Sequence, residues 1–168
     1  GVAAYHARKE CVWQPNTDAI DVITQLGEMG IKCALLTKAE RADKQKEKIE
    51  RADLLDLFHS DLVAIVRPMF DDASGKYMDI ADKAAALGYL SNRLDVAREP
   101  IYCVGYRVTD TEAAVASGSN AIYLLNKDGK YWREEKIELR GRVPHFVVVQ
   151  LADVVTIAKN YHHERRRS

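Results

Sequence analysis

Residues 101–118 read IYCVGYRVTDTEAAVASG: an apolar run, a polar loop opened by glycine, and a short stretch closed by a second glycine. Ile101–Val104 has the continuous apolar character of a strand buried on both faces. Gly105 suits a tight turn after it, Thr111–Ser117 is expected as a short helix, and Gly118 is its stop. A strand that passes through one loop into a helix is half of a βαβ unit, so the flanking sequence should repeat the pattern.

It does so in both directions. Downstream, Ala121–Leu125 reads as the next strand, and Asp128-Gly129 is a turn signal suited to a hairpin tip. Val147, Leu151, Val154, Val155 and Ala158 mark a last amphipathic helix, followed by the polar tail HHERRRS. Upstream, Met78–Leu87 is expected as a helix packing Ala81, Ala84 and Ala85, and Leu62–Val66 as a strand. Residues 38–53 mix both charges at helical spacing, with Glu40 and Lys44, and Glu47 and Arg51, as favourable pairs four apart. Ile31–Leu36 reads as a buried strand ending at Thr37. Ile20, Ile23, Leu26 and Met29 line one face of a preceding helix capped by Asn16 or Thr17 and stopped by Gly30. Val2–Tyr5 is weakly strand-like. Strands separated by helices predict an α/β fold, a Rossmann-like three-layer sandwich with a mostly parallel sheet. Residues 1–160 form one domain in this reading, and 161–168 a basic polar tail.

Composition bounds the role. The 168 residues are 47% hydrophobic and 30% charged with a formal net charge of +0, so no global field draws the chain to nucleic acid or an anionic membrane. No apolar run is long enough to span a bilayer. Cys11, Cys33 and Cys103 are widely spaced with no CxxC or Cys/His cluster, which argues against zinc and for a reducing compartment, either mitochondrial matrix or cytoplasm. The sequence starts at Gly1 without methionine or a signal-like stretch; a removed leader or a trimmed sequence would each account for it.

Ligands of open α/β sheets bind at the carboxyl ends of the strands. Those positions hold Thr37, then Arg67-Pro68 with Lys76 further along, then the loop Gly105–Asp110. A hydroxyl, a lysine and an acid on one rim make a candidate phosphate and metal site. The order of these residues resembles phosphatases of the haloacid dehalogenase (HAD) superfamily. Ile31–Leu36 with Thr37 is similar to their second motif. Lys76 in GKYMDIADKAAALGYL looks like the third, with Tyr77 where proline is usual. VGYRVTDTEAAVASG resembles the fourth, and PHFVVVQLADVV resembles the closing helix. The resemblance implies a capless domain in which the threonine binds phosphoryl oxygens, the lysine neutralises them, and acids of the first and fourth motifs hold Mg²⁺.

Two departures bear on activity. No aspartate stands before Asp18, so the nucleophile motif has no match near Ala4 or His6. Tyr106 also replaces the first acid of the fourth motif, leaving Asp110. A phenol is a poor substitute for a carboxylate on Mg²⁺. Alternative roles stay open beside these: Thr37 as a cap of the charged helix, Lys76 as a solvated loop lysine, Asp110 as a helix N-cap. The residues therefore favour a non-catalytic HAD-like domain serving as a structural or interaction subunit of a larger assembly, for instance a ribonucleoprotein such as the mitochondrial ribosome. Arg165, Arg166 and Arg167 would offer a contact to RNA or an acidic protein, and no cofactor is expected. The alternatives are a Mg²⁺-dependent phosphatase whose nucleophile lies upstream, and a phosphate sensor without turnover.

Overall fold

Apolar stripes on the helices and apolar strands decide the layering. The computed structural model describes residues 17–39, 41–52, 54, 57–58, 62–66, 70–71, 76–77, 79–94, 100–125 and 144–165. Its elements run α1 (Thr17–Glu28), β1 (Leu35–Lys38), α2 (Ala42–Arg51), β2 (Val63–Val66), β3 (Phe70–Asp71), β4 (Lys76–Tyr77), α3 (Asp79–Leu94), β5 (Tyr102–Gly105), α4 (Val108–Ala116), β6 (Asn120–Leu124), β7 (Phe146–Val148) and α5 (Asp153–Arg165). β1 and β2 pair in parallel. β5, β6 and β7 form a second parallel set with β6 in the middle. β3 and β4 are a short antiparallel pair.

Two apolar clusters show the three layers. Val22 and Leu26 of α1 pack with Ile122, Val148, Val154 and Val155. Leu87 of α3 and Ala113 and Ala114 of α4 pack with Ala121. Ala121 and Ile122 are consecutive in β6, so they face opposite sides of the sheet. Helices α1 and α5 therefore cover one face, and α3 and α4 the other. This is the α/β sandwich that the alternation implies.

The helical faces differ in detail from the periodicity. In α1 the buried stripe is Val22 and Leu26, with Met29 packed beside it, rather than one centred on Ile20 and Ile23. α3 runs on to Leu94, and its buried face is Lys83, Leu87, Leu90 and Leu94. Ala85 is exposed instead of packed. Ala114 is completely buried, because a methyl side chain lets α4 approach the sheet closely. Gly30 and Gly118 take φ of 77° and 76°, the left-handed conformation that ends a helix at little steric cost.

Phe146–Val148 is a strand beside β6 rather than the start of the last helix. A β-branched run next to a buried strand gains more from pairing than from helix. The last helix begins at Asp153, whose carboxylate accepts a hydrogen bond from the Gln150 N–H at 3.1 Å. It continues through Arg165, past the expected start of the tail at residue 161. On α2, the ion pair between Glu47 and Arg51 is present at 3.9 Å, beside a closer one between Lys44 and Glu47 at 2.9 Å. Val2–Tyr5 and Asp128-Gly129 lie outside the described residues.

Because α4 meets the sheet through Ala113 and Ala114, at 1% and 0% exposure, Ala114→Leu should overpack this contact. A loss of about 1–3 kcal/mol is expected, read as a lower urea midpoint with an unchanged slope.

Candidate functional site at the β5–α4 loop

The loop after β5 is held by its own acid. α4 begins at Val108, so Asp110 is at the third helical position and not at the cap, which is Arg107. Asp110 Oδ2 accepts the Arg107 backbone N–H at 3.2 Å, which satisfies one of the amides that a helix start leaves free. Asp110 Oδ1 accepts from Lys83 Nζ at 2.8 Å, and the same ammonium donates to Thr109 Oγ1 at 3.3 Å. Gly105 is required by this closeness. A Cβ there would stand 2.7 Å from Asp110 Oδ2 and nearer still to Asp110 Cβ.

Lys83 is the residue that sequence reasoning missed. It is only 7% exposed, and it reaches Asp110 from the buried face of α3. Its signal was available: positions 83, 87, 90 and 94 fall on one helical stripe, and a lysine that starts an apolar stripe needs a buried counter-charge. The side chain of Lys76 lies outside the described residues, and its backbone pairs with Asp71. Thr37 is the third residue of β1 rather than the residue after it. Its Oγ1 accepts from Gln45 Nε2 of α2 at 3.2 Å, a side-chain tie to the charged helix.

Tyr106 is 44% exposed at the rim, with the Arg107 guanidinium 5.6 Å from its ring centroid. Cys103, one turn of pleat below, packs against the cluster of Leu87, Ala113, Ala114 and Ala121. Burial first, then the nearby Asp110 charge, pushes its thiol from 9.0 up to about 11, with Lys83 opposing. Such a thiol is a packing group and not a nucleophile at neutral pH.

Magnesium needs several oxygen ligands in near-octahedral array. The loop offers one carboxylate, both of whose oxygens already accept hydrogen bonds, and the phenol of Tyr106. Among the described residues, no group of three His, Cys, Asp or Glu side chains converges as a metal site. These residues alone do not fit a magnesium centre. Arg166, Arg167 and the side chain of Arg165 lie outside the described residues, as do Arg67, Pro68 and His59.

With this geometry, the fold is similar to those of several solved proteins. D,D-heptose 1,7-bisphosphate phosphatase from B. bronchiseptica, solved with magnesium and phosphate, superposes with a TM-score of 0.61 at 16% identity, over 87% of this chain and 84% of that one. A putative haloacid dehalogenase-like hydrolase from Burkholderia xenovorans gives 0.57 at 14% identity, over 87% of this chain and 58% of its own. A structural-genomics target solved by X-ray crystallography gives 0.58 at 15% identity, over 88% of this chain and 42% of its own. The chain thus spans less than two thirds of the latter two. No protein-family model and no curated protein matches it. The fold is the HAD-like one.

Two outcomes follow from the loop. Asp110→Asn removes the carboxylate that the buried Lys83 ammonium contacts at 2.8 Å, and a loss on the order of 3–5 kcal/mol is expected by chemical denaturation; Lys83→Met with Asp110→Asn should recover part of it. Cys103 is kept neutral by the fold, so its contribution is present below pH 9 and is lost as the pH rises toward about 11. Melting temperatures across that alkaline window should fall more steeply for the native chain than for Cys103→Val.

Proposed function

We propose that this HAD-like domain acts as a binding or interaction module and does not carry metal-assisted phosphoryl transfer on the β5–α4 loop. One observation carries the reading: Tyr106 stands where the resemblance places a metal-binding acid, while the remaining acid, Asp110, is bonded to Lys83 at 2.8 Å and to the Arg107 amide at 3.2 Å. A carboxylate that neutralises a buried lysine and ties down a helix start contributes to the fold. Recruiting it to a metal would draw the carboxylate away from a lysine that is only 7% exposed. Exposed apolar side chains suited to a protein partner are present on the same sheet: Tyr106 after β5, and Phe146, Val147 and Val149 along and just past the edge strand β7, are 40–54% exposed, and such groups favour macromolecular contact.

A second reading has its own support. Thr37 stands near the end of a parallel strand, Lys83 brings an ammonium to the β5–α4 loop, and one fold neighbour is a phosphatase solved with magnesium and phosphate. In this reading the chain would be a phosphatase of the same fold whose nucleophile and further metal ligands come from elsewhere in the protein.

Incubation of the folded protein with an aryl phosphate and Mg²⁺ separates the two. No turnover is expected. Turnover that disappears in both Thr37→Val and Asp110→Asn would sink the interaction reading, Thr37→Val being included because it leaves the Lys83–Asp110 pair intact.

A further inference from the structure

The seam between β6 and β7 starts on a side chain instead of a peptide. The Leu125 N–H donates to Val148 O at 2.8 Å. Backbone groups alternate sides along a strand, so the Ala121 N–H, four residues back, turns to the same seam. Its acceptor there is not a carbonyl of the neighbouring strand but His145 Nδ1, at 3.1 Å. The donor is deep: Ala121 is 1% exposed and belongs to the cluster of Leu87, Ala113 and Ala114. Water cannot take over the bond at such a position, and a buried amide that loses its acceptor is costly. His145 itself is exposed, so protons reach its ring from solvent.

This bond admits one charge state. A neutral imidazole has a single accepting nitrogen, and acceptance at Nδ1 puts the ring hydrogen on Nε2. An imidazolium has no acceptor, because both nitrogens carry hydrogens, and its Nδ1–H would point at the Ala121 N–H. Histidine is the side chain that ordinarily changes charge between pH 5 and 8. Around this seam β5 and β6 bring Tyr102, Cys103 and Tyr123, and α4 brings Glu112 and Asp110, the latter held by Lys83 of α3. On the other face α5 brings Asp153, Lys159 and Tyr161, and α1 brings Asp18, Asp21 and Glu28. Among the described residues none of these groups bonds to His145, so none of them offsets the loss by pairing with the imidazolium. We propose that His145 is a proton-sensitive clasp on β7: neutral, it closes the start of the β6–β7 seam; protonated, it releases the Ala121 amide and loosens the edge strand. Release takes up one proton, so the equilibrium constant for opening rises by up to about tenfold for each unit that the pH falls. Phe146 and Val147, 40% and 54% exposed, are on the loosened strand, and acid would change how they are presented. The clasp stands on the Ala121–His145 bond and holds whichever function the domain has.

The test is solution NMR on the full chain from pH 8 to pH 5. Exchange of the Ala121 and Leu125 amides is expressed relative to an unstructured chain at the same pH, which removes the intrinsic effect of pH. Protection of both amides should fall toward pH 5, by up to about tenfold per unit. In His145→Asn the side-chain oxygen stands close to the place of Nδ1 and accepts at every pH, so protection should stay level while the other four of the chain's 5 histidines remain. A level profile in the native chain would overturn the proposal, as would an equal fall in His145→Asn. Nitrogen-15 spectra of the native imidazole give an answer that needs no variant to fold. The Nε2–H tautomer is expected at pH 8, and the Nδ1–H tautomer there would overturn the clasp. None of these readouts depends on phosphate turnover or on a partner, so the clasp and the proposed function fail separately.

Discussion

The ion pair between Lys83 and Asp110 ties together parts of the molecule that are far apart in sequence. It joins the buried face of α3 to the first turn of α4 at 2.8 Å, with the two side chains 9% and 22% exposed. Neither charge could stand there alone, because an uncompensated ion costs several kcal/mol to bury. The pair fixes how α3 and α4 sit against one another. Asp110 in turn holds the Arg107 amide and crowds Gly105, which sets the path of the chain from β5 into α4. Close packing continues the constraint into the sheet, where Ala113, Ala114 and Ala121 leave no room for larger side chains between helix and strand.

This explains which features the sequence could reveal. Continuous apolar runs at Leu62–Val66, Ile101–Val104 and Ala121–Leu125 are seen as strands within a residue or two, since burial on both faces leaves a signal that any window detects. The glycines after α1 and α4 stop their helices as read. Phe146–Val148 is not legible as a strand, because its valines fit a helical stripe with Leu151 and Val154 equally well, and only the neighbouring edge of β6 decides between the two. Asp110 is legible as a capping acid, but the pattern puts it at the cap itself, three residues past the true cap Arg107, because Val108 and Thr109 give no helical signal of their own. The apolar stripe of Leu87, Leu90 and Leu94 marks Lys83 as facing inward, but it does not say which group meets the charge. Its partner is 27 residues away in sequence, a separation that no local pattern reports.

The same pair shapes what the strand ends can do. A lysine and an aspartate in contact sum to zero charge, so to a distant anion they present a dipole rather than a cation. An incoming phosphoryl group would have to compete with Asp110 for the ammonium or share it, and sharing places three charged groups in a partly buried loop. In a site built for transfer, further positive charge from a metal offsets that crowding. Here the position that would supply another metal ligand carries the Tyr106 ring, with the Arg107 guanidinium near its face. An aromatic ring exposed beside a guanidinium gains more from covering by an apolar or planar surface than from an ion, because burial of the ring removes apolar area from water whereas a metal gains little from a neutral phenol. Under the proposed interaction role, contact at Tyr106 would draw on apolar area more than on charge, and the Lys83–Asp110 pair would lie beneath it.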